Sequence, residues 1–294
     1  MKYKYTIAGT TFDIFNHLLL ALITLVTVYP LIHIAMASFS NGFRLMAHQG
    51  LIFWPLGFDL AAYQAVFRNR LIWTGYRNTL FMVGVGTALN VILTAMGAYV
   101  ASRKNVYWQK LFMFMIVFTM FFQGGMIPLF LQVRALGLYN SLWSLILAFA
   151  VSAFNLIIMR TYFQGIPDSL EESAKIDGAN DFVILFRIIM PVAKPVVATM
   201  VLFYGVSRWN GYFWAMVFIR SRGLYPLALV LREILVMGSV SDMMGGAITA
   251  SDSEQIADSI KYATAMVATI PILCVYPFLQ KYFVKGVMIG SLKG

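Results

Sequence analysis

Two short stretches of the chain carry the side chains best suited to chemistry. Residues 168–181 contain five of its twelve acidic residues, although the sequence of 294 residues is 60% hydrophobic and only 12% charged. The second stretch is an arginine inside an apolar run, with its polar and aromatic neighbours: Arg208, Trp209, Asn210, Tyr212 and Trp214. A guanidinium binds a carboxylate through two hydrogen bonds, and aromatic faces stack on apolar surfaces such as sugar rings. Neither stretch offers a nucleophile–base pair or paired carboxylates that would support a catalytic assignment.

The composition places most of the chain in lipid. A mean hydropathy of +0.77 is too high for a water-soluble globule, in which about half the residues are apolar and about a quarter are charged. The single cysteine, Cys274, allows neither an internal disulfide nor a redox motif. The histidines, His17, His33 and His48, are too scattered for a metal site, so we expect no metal or cofactor in this chain. The net charge of +10 is spread out and typical of membrane-flanking Lys and Arg, which argues against nucleic-acid binding.

Apolar runs bounded by charged or turn residues predict an all-α membrane protein with a single domain over residues 1–294. Six transmembrane helices are expected, over residues 18–37, 79–102, 111–131, 142–159, 195–218 and 263–283. Pro30 and Pro128 are expected to kink their helices, with a second weak point at Gly124-Gly125. The glycines of the second span, Gly84, Gly86 and Gly97, are expected to allow close helix packing.

An even number of spans places both termini on one side of the membrane. Twelve of the 22 Lys and Arg residues lie on that side, so the positive-inside rule favours cytoplasmic termini. The acidic stretch then lies in a cytoplasmic loop, residues 160–194, between spans four and five.

The acidic loop has the sequence signals of two short helices. Ser169 followed by Glu172 forms a capping-box pattern, and Gly178 supplies a helix stop. Asn180 or Asp181 is suited to cap a second helix, which Pro191 is expected to end. The sequence therefore predicts helix, glycine bend, helix at the membrane surface.

The spacing in this loop resembles the cytoplasmic EAA loop of ABC importer permeases. That pattern reads Glu-Ala-Ala, three residues, Gly, nine residues, Ile, one residue, Leu-Pro. Its matching positions here are Glu172, Ser173, Ala174, Gly178, Ile188, Met190 and Pro191. Ser173 replaces the first alanine and Met190 replaces the leucine. Further segments, among them residues 127–147, 208–219 and 279–294, are similar to the smaller permeases of carbohydrate importers, including importers of complex oligosaccharides such as alginate.

The resemblance implies partners and roles. It implies a second, different permease subunit, two ATP-binding cassette subunits that bind ATP and Mg²⁺, and a periplasmic or lipid-anchored solute-binding protein, in a bacterial cytoplasmic (inner) membrane. Glu172 would anchor the loop on an ATPase, Gly178 would set the bend, and Ala174 and Ala179 would need to be small, with Asp177 beside the contact. The fifth helix would line the pathway of an oligosaccharide, and Arg208 and other basic residues favour an acidic, alginate-like one.

Alternatives stay open on the sequence alone. The chain has no G-x-x-x-x-G-K-[ST] motif, so energy from ATP would have to come from a partner. A proton- or ion-coupled secondary transporter of sugars would show buried acids or paired broken helices, and a membrane enzyme would show clustered His, Asp or Glu. Arg208 has two readings of equal weight: it contacts the substrate, or it is paired inside the protein or reaches an interface.

Overall fold

The computed structural model describes residues 7–237 and 258–277, which are almost entirely helical. These ranges contain no strand, and their one isolated β-type bridge joins Ser40 and Phe58. The predicted all-α class is therefore confirmed. The helices up to the middle of the chain are α1 (Ile7–Ser38), α2 (Gly42–Ala47), α3 (Ala61–Arg68), α4 (Arg70–Phe81), a π-helical turn (Met82–Gly86), α5 (Thr87–Ser102), α6 (Gln109–Phe121), α7 (Met126–Ala135) and α8 (Leu142–Leu147).

The second half of the chain begins with shorter helices and returns to long ones. They are α9 (Ala153–Gln164), α10 (Ser169–Ile176), α11 (Asp181–Val183), a second π-helical turn (Ile184–Ile189), α12 (Met190–Val192), α13 (Lys194–Asn210), α14 (Phe213–Phe218), a 3-10 turn (Arg222–Leu224), α15 (Leu227–Met237) and α16 (Asp258–Pro277).

Three continuous helices of the described ranges are long and apolar enough to cross a membrane: Gly9–Ser38, Arg70–Ser102 and Asp258–Pro277. Two strongly bent helix pairs raise the number to five if each pair is one span. The chain is therefore a multi-helix membrane protein, but the predicted count of six is not confirmed. Part of the predicted sixth span, residues 278–283, lies outside the described residues.

Glycine rather than proline marks the break in the predicted span 111–131. The chain bends by 115° between α6 and α7. Gly125 in the connection has φ +86, a backbone conformation that residues with a Cβ rarely adopt. Pro128 lies inside α7, where its missing N–H costs little because the first turn has no intrahelical acceptor for it. α1 runs through Pro30 as one helix.

Two other predicted spans are interrupted by irregular backbone. Residues 148–152 separate α8 from α9 within the predicted span 142–159, and residues 211–212 separate α13 from α14 within 195–218. Hydropathy follows residue type alone, so it cannot detect where tertiary hydrogen bonds allow a helix to stop. Ser152 supplies the one local signal, since its side chain accepts a hydrogen bond from the N–H of Asn155 and caps α9.

The described residues divide into two compact units, residues 7–69 with 233–237 and 258–269, and residues 70–232 with 270–277. Within the first unit, Ala37, Leu45 and Ile52 form a small apolar cluster. Within the second unit, one large cluster joins side chains of α5, α9 and α13 to those of the loop that contains α10. The candidate coupling and pathway residues identified from the sequence all lie in this second unit.

Candidate functional site

The acidic stretch folds as the predicted helix, bend and helix. α10 spans Ser169–Ile176, and Glu171 and Glu172 lie in its first turn, where carboxylates favour the positive end of the helix dipole. The predicted capping box is wrong, because Asp168 is the N-cap residue, Ser169 is already helical, and no side chain caps this end. One residue of difference in where the helix starts removes the geometry that the box requires.

Adjacent glutamates in α10 have opposite surroundings. Glu171 is buried and forms an ion pair with Arg103, which follows α5, while Lys175 donates a hydrogen bond of 2.7 Å to its Oε1. Arg103 also lies over the ring of Tyr99, 4.6 Å from its centroid. Glu172 is exposed. The first glutamate therefore fastens α10 to α5, and the second is available to another molecule.

The hydrogen bond to Glu171 raises the pKa of Lys175 above its ordinary value. Lys175 therefore remains protonated at neutral pH, and α10 keeps a positive charge in its last turn, where the helix dipole favours it.

Gly178 closes α10 as predicted. Its φ of +81 lies in the left-handed region, its N–H donates to the carbonyl of Lys175, and the next N–H, of Ala179, donates to the carbonyl of Ala174. The side chain of Asn180 then accepts from the N–H of Val183 and caps the second helix, as expected. That second helix continues through a π-helical turn to Val192, one residue beyond Pro191, before the chain bends by 89° into α13.

The predicted coupling residues fall into an exposed and an inward-facing group. Glu172, Ser173, Asp177, Gly178 and Pro191 are exposed. Ala174 is buried, and Ala179 and Ile188 are partly buried against the large apolar cluster of the second unit. Sequence reasoning missed Ile176, which is 87% exposed at the end of α10, and the inward role of Glu171. Glu171 and Ala174 are three residues apart and therefore lie on one face of α10. This spacing was the available sequence signal for the buried face.

A cavity of about 1140 Å³ lies within the second unit, and its walls come from α5, α8, α9, α13 and α14 and from the irregular segments beside them. Its lining includes four of the predicted pathway residues: Arg208, Asn210, Tyr212 and Trp214. Trp209 is not part of this lining and packs edge-on against Tyr76, with the ring centroids 6.2 Å apart. The structure thus brings most of this predicted set to one cavity.

Arg208 is buried and points its guanidinium at the chain's own backbone. Its Nη1 donates to the carbonyl of Leu145, and its Nη2 donates to those of Ile146 and Phe149 at 3.2 and 3.1 Å. These contacts favour the second reading of Arg208, a cation paired inside the protein. Asn90 and Tyr204, which sequence reasoning did not single out, also line this cavity.

No group of three or more His, Cys, Asp or Glu within the described ranges could hold a metal ion. His17 lies 2.6 Å from the carbonyl oxygen of Asp13 in α1, and His33 lies beside Tyr29 and Tyr262.

Comparison with known proteins identifies the family. Residues 93–289 match the family described as the binding-protein-dependent transport system inner membrane component. The polygalacturonan/rhamnogalacturonan transport system permease protein YtcP of Bacillus subtilis is 42% identical over 288 residues, which cover 96% of this chain and 98% of that protein. Protein LplC of the same organism is 40% identical over 98% of this chain and 97% of its own length.

A solved structure shares both sequence and fold with this chain. It is the crystal structure of a bacterial ABC transporter involved in the import of the acidic polysaccharide alginate; one of its chains is 37% identical, with a TM-score of 0.87 over 96% of this chain and 100% of that chain. These matches favour a permease over the secondary transporter or the membrane enzyme that the sequence left open. The chain belongs to the inner-membrane components of binding-protein-dependent transport systems, the permeases of ABC importers.

Proposed function

We propose that this chain is one of two different permease subunits of an ABC importer in the bacterial cytoplasmic membrane, with six spans and both termini in the cytoplasm. It forms half of the pathway for an acidic oligosaccharide and has no catalytic activity of its own. The single observation that carries the proposal is the division of labour in α10: Glu171 is buried against Arg103, whereas Glu172 is exposed.

The exposed side of α10 docks on an ATP-binding cassette subunit. It offers an acid at Glu172 and, one turn later, an apolar side chain at Ile176, so a cleft with one basic residue and an apolar floor would complement it. Two such subunits bind ATP and Mg²⁺, and their closure moves the docked helices. Because Glu171 and the apolar cluster tie α10 to the bundle, that movement is passed to the pathway as a rigid-body shift.

The cavity is the part of the pathway contributed by this chain. Asn210 supplies an amide for sugar hydroxyls, and Tyr212 and Trp214 supply aromatic faces. A periplasmic or lipid-anchored solute-binding protein delivers the oligosaccharide. The similar alginate importer and the similar polygalacturonan/rhamnogalacturonan permease support an acidic saccharide as the cargo.

Docking is tested by co-expressing the chain with its second permease and candidate ATPases, then purifying the complex through a tag on this chain. We expect Glu172→Lys to lower the recovery of the ATPases and to abolish ATP-driven transport. Asp13→Lys, the same charge change at an exposed residue of α1, is the matched control and retains both. Normal ATPase recovery and transport with Glu172→Lys would contradict the proposed docking.

The cargo is tested separately with the assembled complex and its binding protein in proteoliposomes. ATPase stimulation and uptake are measured with acidic oligosaccharides and with neutral ones of the same length. We expect stimulation by the acidic series. Stimulation by the neutral series alone would refute the substrate class and leave the docking proposal standing.

A further inference from the structure

The irregular segment 148–152 between α8 and α9 interrupts a run that reads as a single apolar span. An unpaired N–H or C=O in an apolar environment is costly, so non-helical backbone at membrane depth persists only where other groups satisfy it. The last turn of α8 also ends in carbonyls without intrahelical donors. The segment therefore needs polar partners from elsewhere in the chain.

Arg208 of α13 supplies the partners for the end of α8. Its guanidinium reaches the carbonyls of Leu145 and Ile146 in the last turn of that helix and the carbonyl of Phe149 in the segment itself. A cation at a helix C-terminus also meets the negative end of the helix dipole. The fixed charge of Arg208 is thus compensated by backbone oxygen atoms.

Two further elements hold the same segment. Asn90 of α5 donates to the carbonyl of Phe149 at 3.2 Å and accepts a long hydrogen bond of 3.4 Å from Arg208. At the other end of the segment, the hydroxyl of Tyr204 accepts from the N–H of Ser152 at 3.0 Å and lies 2.7 Å from the hydroxyl of Thr94.

The spacing of these four residues makes them a unit. Asn90 and Thr94 are four residues apart on α5, and Tyr204 and Arg208 are four apart on α13, so each pair lies on one helical face. Their exposures are 0%, 0%, 5% and 8%. We call them the polar clamp, because Asn90, Tyr204 and Arg208 bind backbone groups of residues 148–152 and Thr94 contacts the hydroxyl of Tyr204.

Gly86 allows this close approach. A Cβ at this position would lie 3.3 Å from the side chain of Ile146 and 3.7 Å from Nε of Arg208. The missing side chain of Gly86 therefore leaves room for the side chains of Ile146 and Arg208 beside the helix that continues to Asn90.

From these contacts we infer that the polar clamp fixes the unwound segment as a wall of the cavity, and that Arg208 is a positioning residue that acts through this wall and not on the transported sugar. Phe149, Val151 and Ser152 of the segment line the cavity. This inference goes beyond the proposed function, because it requires neither an ATPase contact nor a particular cargo.

The test measures the local opening of the segment with the full complex in membranes. The chain's one cysteine is removed by Cys274→Ser, and a reporter is placed in the segment by Ala148→Cys, at a partly buried position. The rate of labelling by a water-soluble maleimide is compared with and without Arg208→Gln. We expect a rise of about fivefold or more, since a segment that loses closing hydrogen bonds opens more often.

Phe154→Cys provides the matched reporter, because Phe154 lines the same cavity from α9 but lies outside the segment. Its labelling should not change with Arg208→Gln. Tyr204→Phe, which removes only a hydroxyl, should raise the Ala148→Cys rate in the same way and carries the test if Arg208→Gln does not assemble. Unchanged labelling, or equal rises at both reporters, would overturn the inference.

Transport supplies an independent readout. A positioning role predicts that Arg208→Gln reduces the maximal uptake of an acidic oligosaccharide and leaves its half-saturating concentration similar. A rise in the half-saturating concentration with little change in maximal uptake would instead identify Arg208 as a substrate contact and refute the proposed role.

Discussion

At the scale of single residues, the adjacent glutamates of α10 have different roles because consecutive positions of a helix face different directions. Neighbouring positions point about 100° apart, so Glu171 turns inward to Arg103 while Glu172 turns outward. A buried cation and anion both lose hydration, and each tolerates burial only because the other is present. The side chains of Arg103 and Glu171 keep only 12% and 10% of their accessible surface.

We predict that Glu171→Gln destabilises the protein by about 3 kcal/mol, because it leaves the charge of Arg103 buried without its partner. The measurement is the free energy of unfolding in mixed detergent micelles. Glu172→Gln is the matched control and should change stability by less than about 0.5 kcal/mol, as expected for an exposed site. The double variant Arg103→Glu with Glu171→Arg should recover part of the loss, and no recovery would contradict a direct pair.

The same residues show what a sequence can and cannot give at this scale. The pattern from Glu172 to Pro191 located the loop, and Gly178 was correctly placed at its turn, because helix stops are local. The partnership between Glu171 and Arg103 joins residues 68 positions apart, and no local pattern encodes it. Likewise, the surroundings of Arg208 depend on a break 60 residues earlier in the chain.

At the scale of elements, the turn after α10 sets the direction of the docking helix. Gly178 has φ +81, and no atom lies within 4 Å of where a Cβ would be, so a side chain there would meet a conformational penalty and no clash. The turn can therefore be perturbed without disturbing packing.

We predict that Gly178→Ala costs about 1 kcal/mol and weakens ATPase recovery in the pull-down, whereas Gly178→Asn is milder, since Asn tolerates the left-handed region. Gly137→Ala is the control, because Gly137 has φ +69 and equally open surroundings in a different turn. It should show a similar stability loss with normal ATPase recovery. A pull-down defect of the same size in both variants would contradict a specific role for the turn.

Only some of the glycines that were expected to allow close helix packing have close neighbours in the second unit. Gly86 and Gly97 do face close neighbours, whereas no described atom of this chain lies within 4 Å of the missing Cβ of Gly84. Gly75, which the sequence did not mark, has the backbone of Leu227 at 3.1 Å from that position. The sequence around a glycine does not reveal whether another backbone approaches the face of the helix on which the glycine lies.

We predict that Gly75→Ala destabilises the protein by about 1–3 kcal/mol, because the new methyl group must push a backbone and not a flexible side chain. Gly84→Ala, in the same membrane-spanning helix, should leave stability unchanged or slightly higher. Thermal unfolding of the two purified variants in one detergent provides the comparison. Equal effects of the two substitutions would show that the approach of Leu227 is not tight.

At the scale of the whole molecule, the described helices differ sharply in how much the chain itself covers them. The most apolar window of α1 has a mean hydropathy of 2.3 and is not buried at all, whereas 39% of the window in Arg70–Ser102 is buried. α6 has no buried residue. The apolar surface of α1 and α6 must therefore meet lipid or another subunit, as expected for one subunit of a larger assembly.

We predict that Leu25→Ala in α1, where Leu25 is 68% exposed, leaves the unfolding free energy of the isolated chain within about 0.5 kcal/mol of the parent. Ile72→Ala, at a fully buried position in α4, should cost about 2–5 kcal/mol. Both are measured in the same micelles. A large effect of Leu25→Ala on the isolated chain would show that α1 has an intramolecular partner.

The overall fold was predictable in class but not in detail. Hydropathy identified the apolar runs correctly, because lipid imposes a single strong constraint on composition. It merged α8 with α9 and α13 with α14, since the side chains that stabilise the first interruption, Asn90 and Arg208, are contributed by other helices. When side chains of other helices stabilise a break, the sequence of the broken segment itself carries almost no signal of it.

The π-helical turn Met82–Gly86 has a consequence for insertions and deletions. It joins α4, where Asn78 donates to the carbonyls of Gly223 and Tyr225, to α5, which carries Asn90 of the polar clamp. A π turn holds a residue more than the regular helix would, so losing one residue there would restore regular winding. The flanking helices would then keep their relative orientation, because the turn already absorbs the rotation of about 100° that one residue adds to a regular helix. A single-codon deletion within the turn should therefore keep Asn78 and Asn90 at their acceptors, whereas a further single-codon insertion there would turn one of them away.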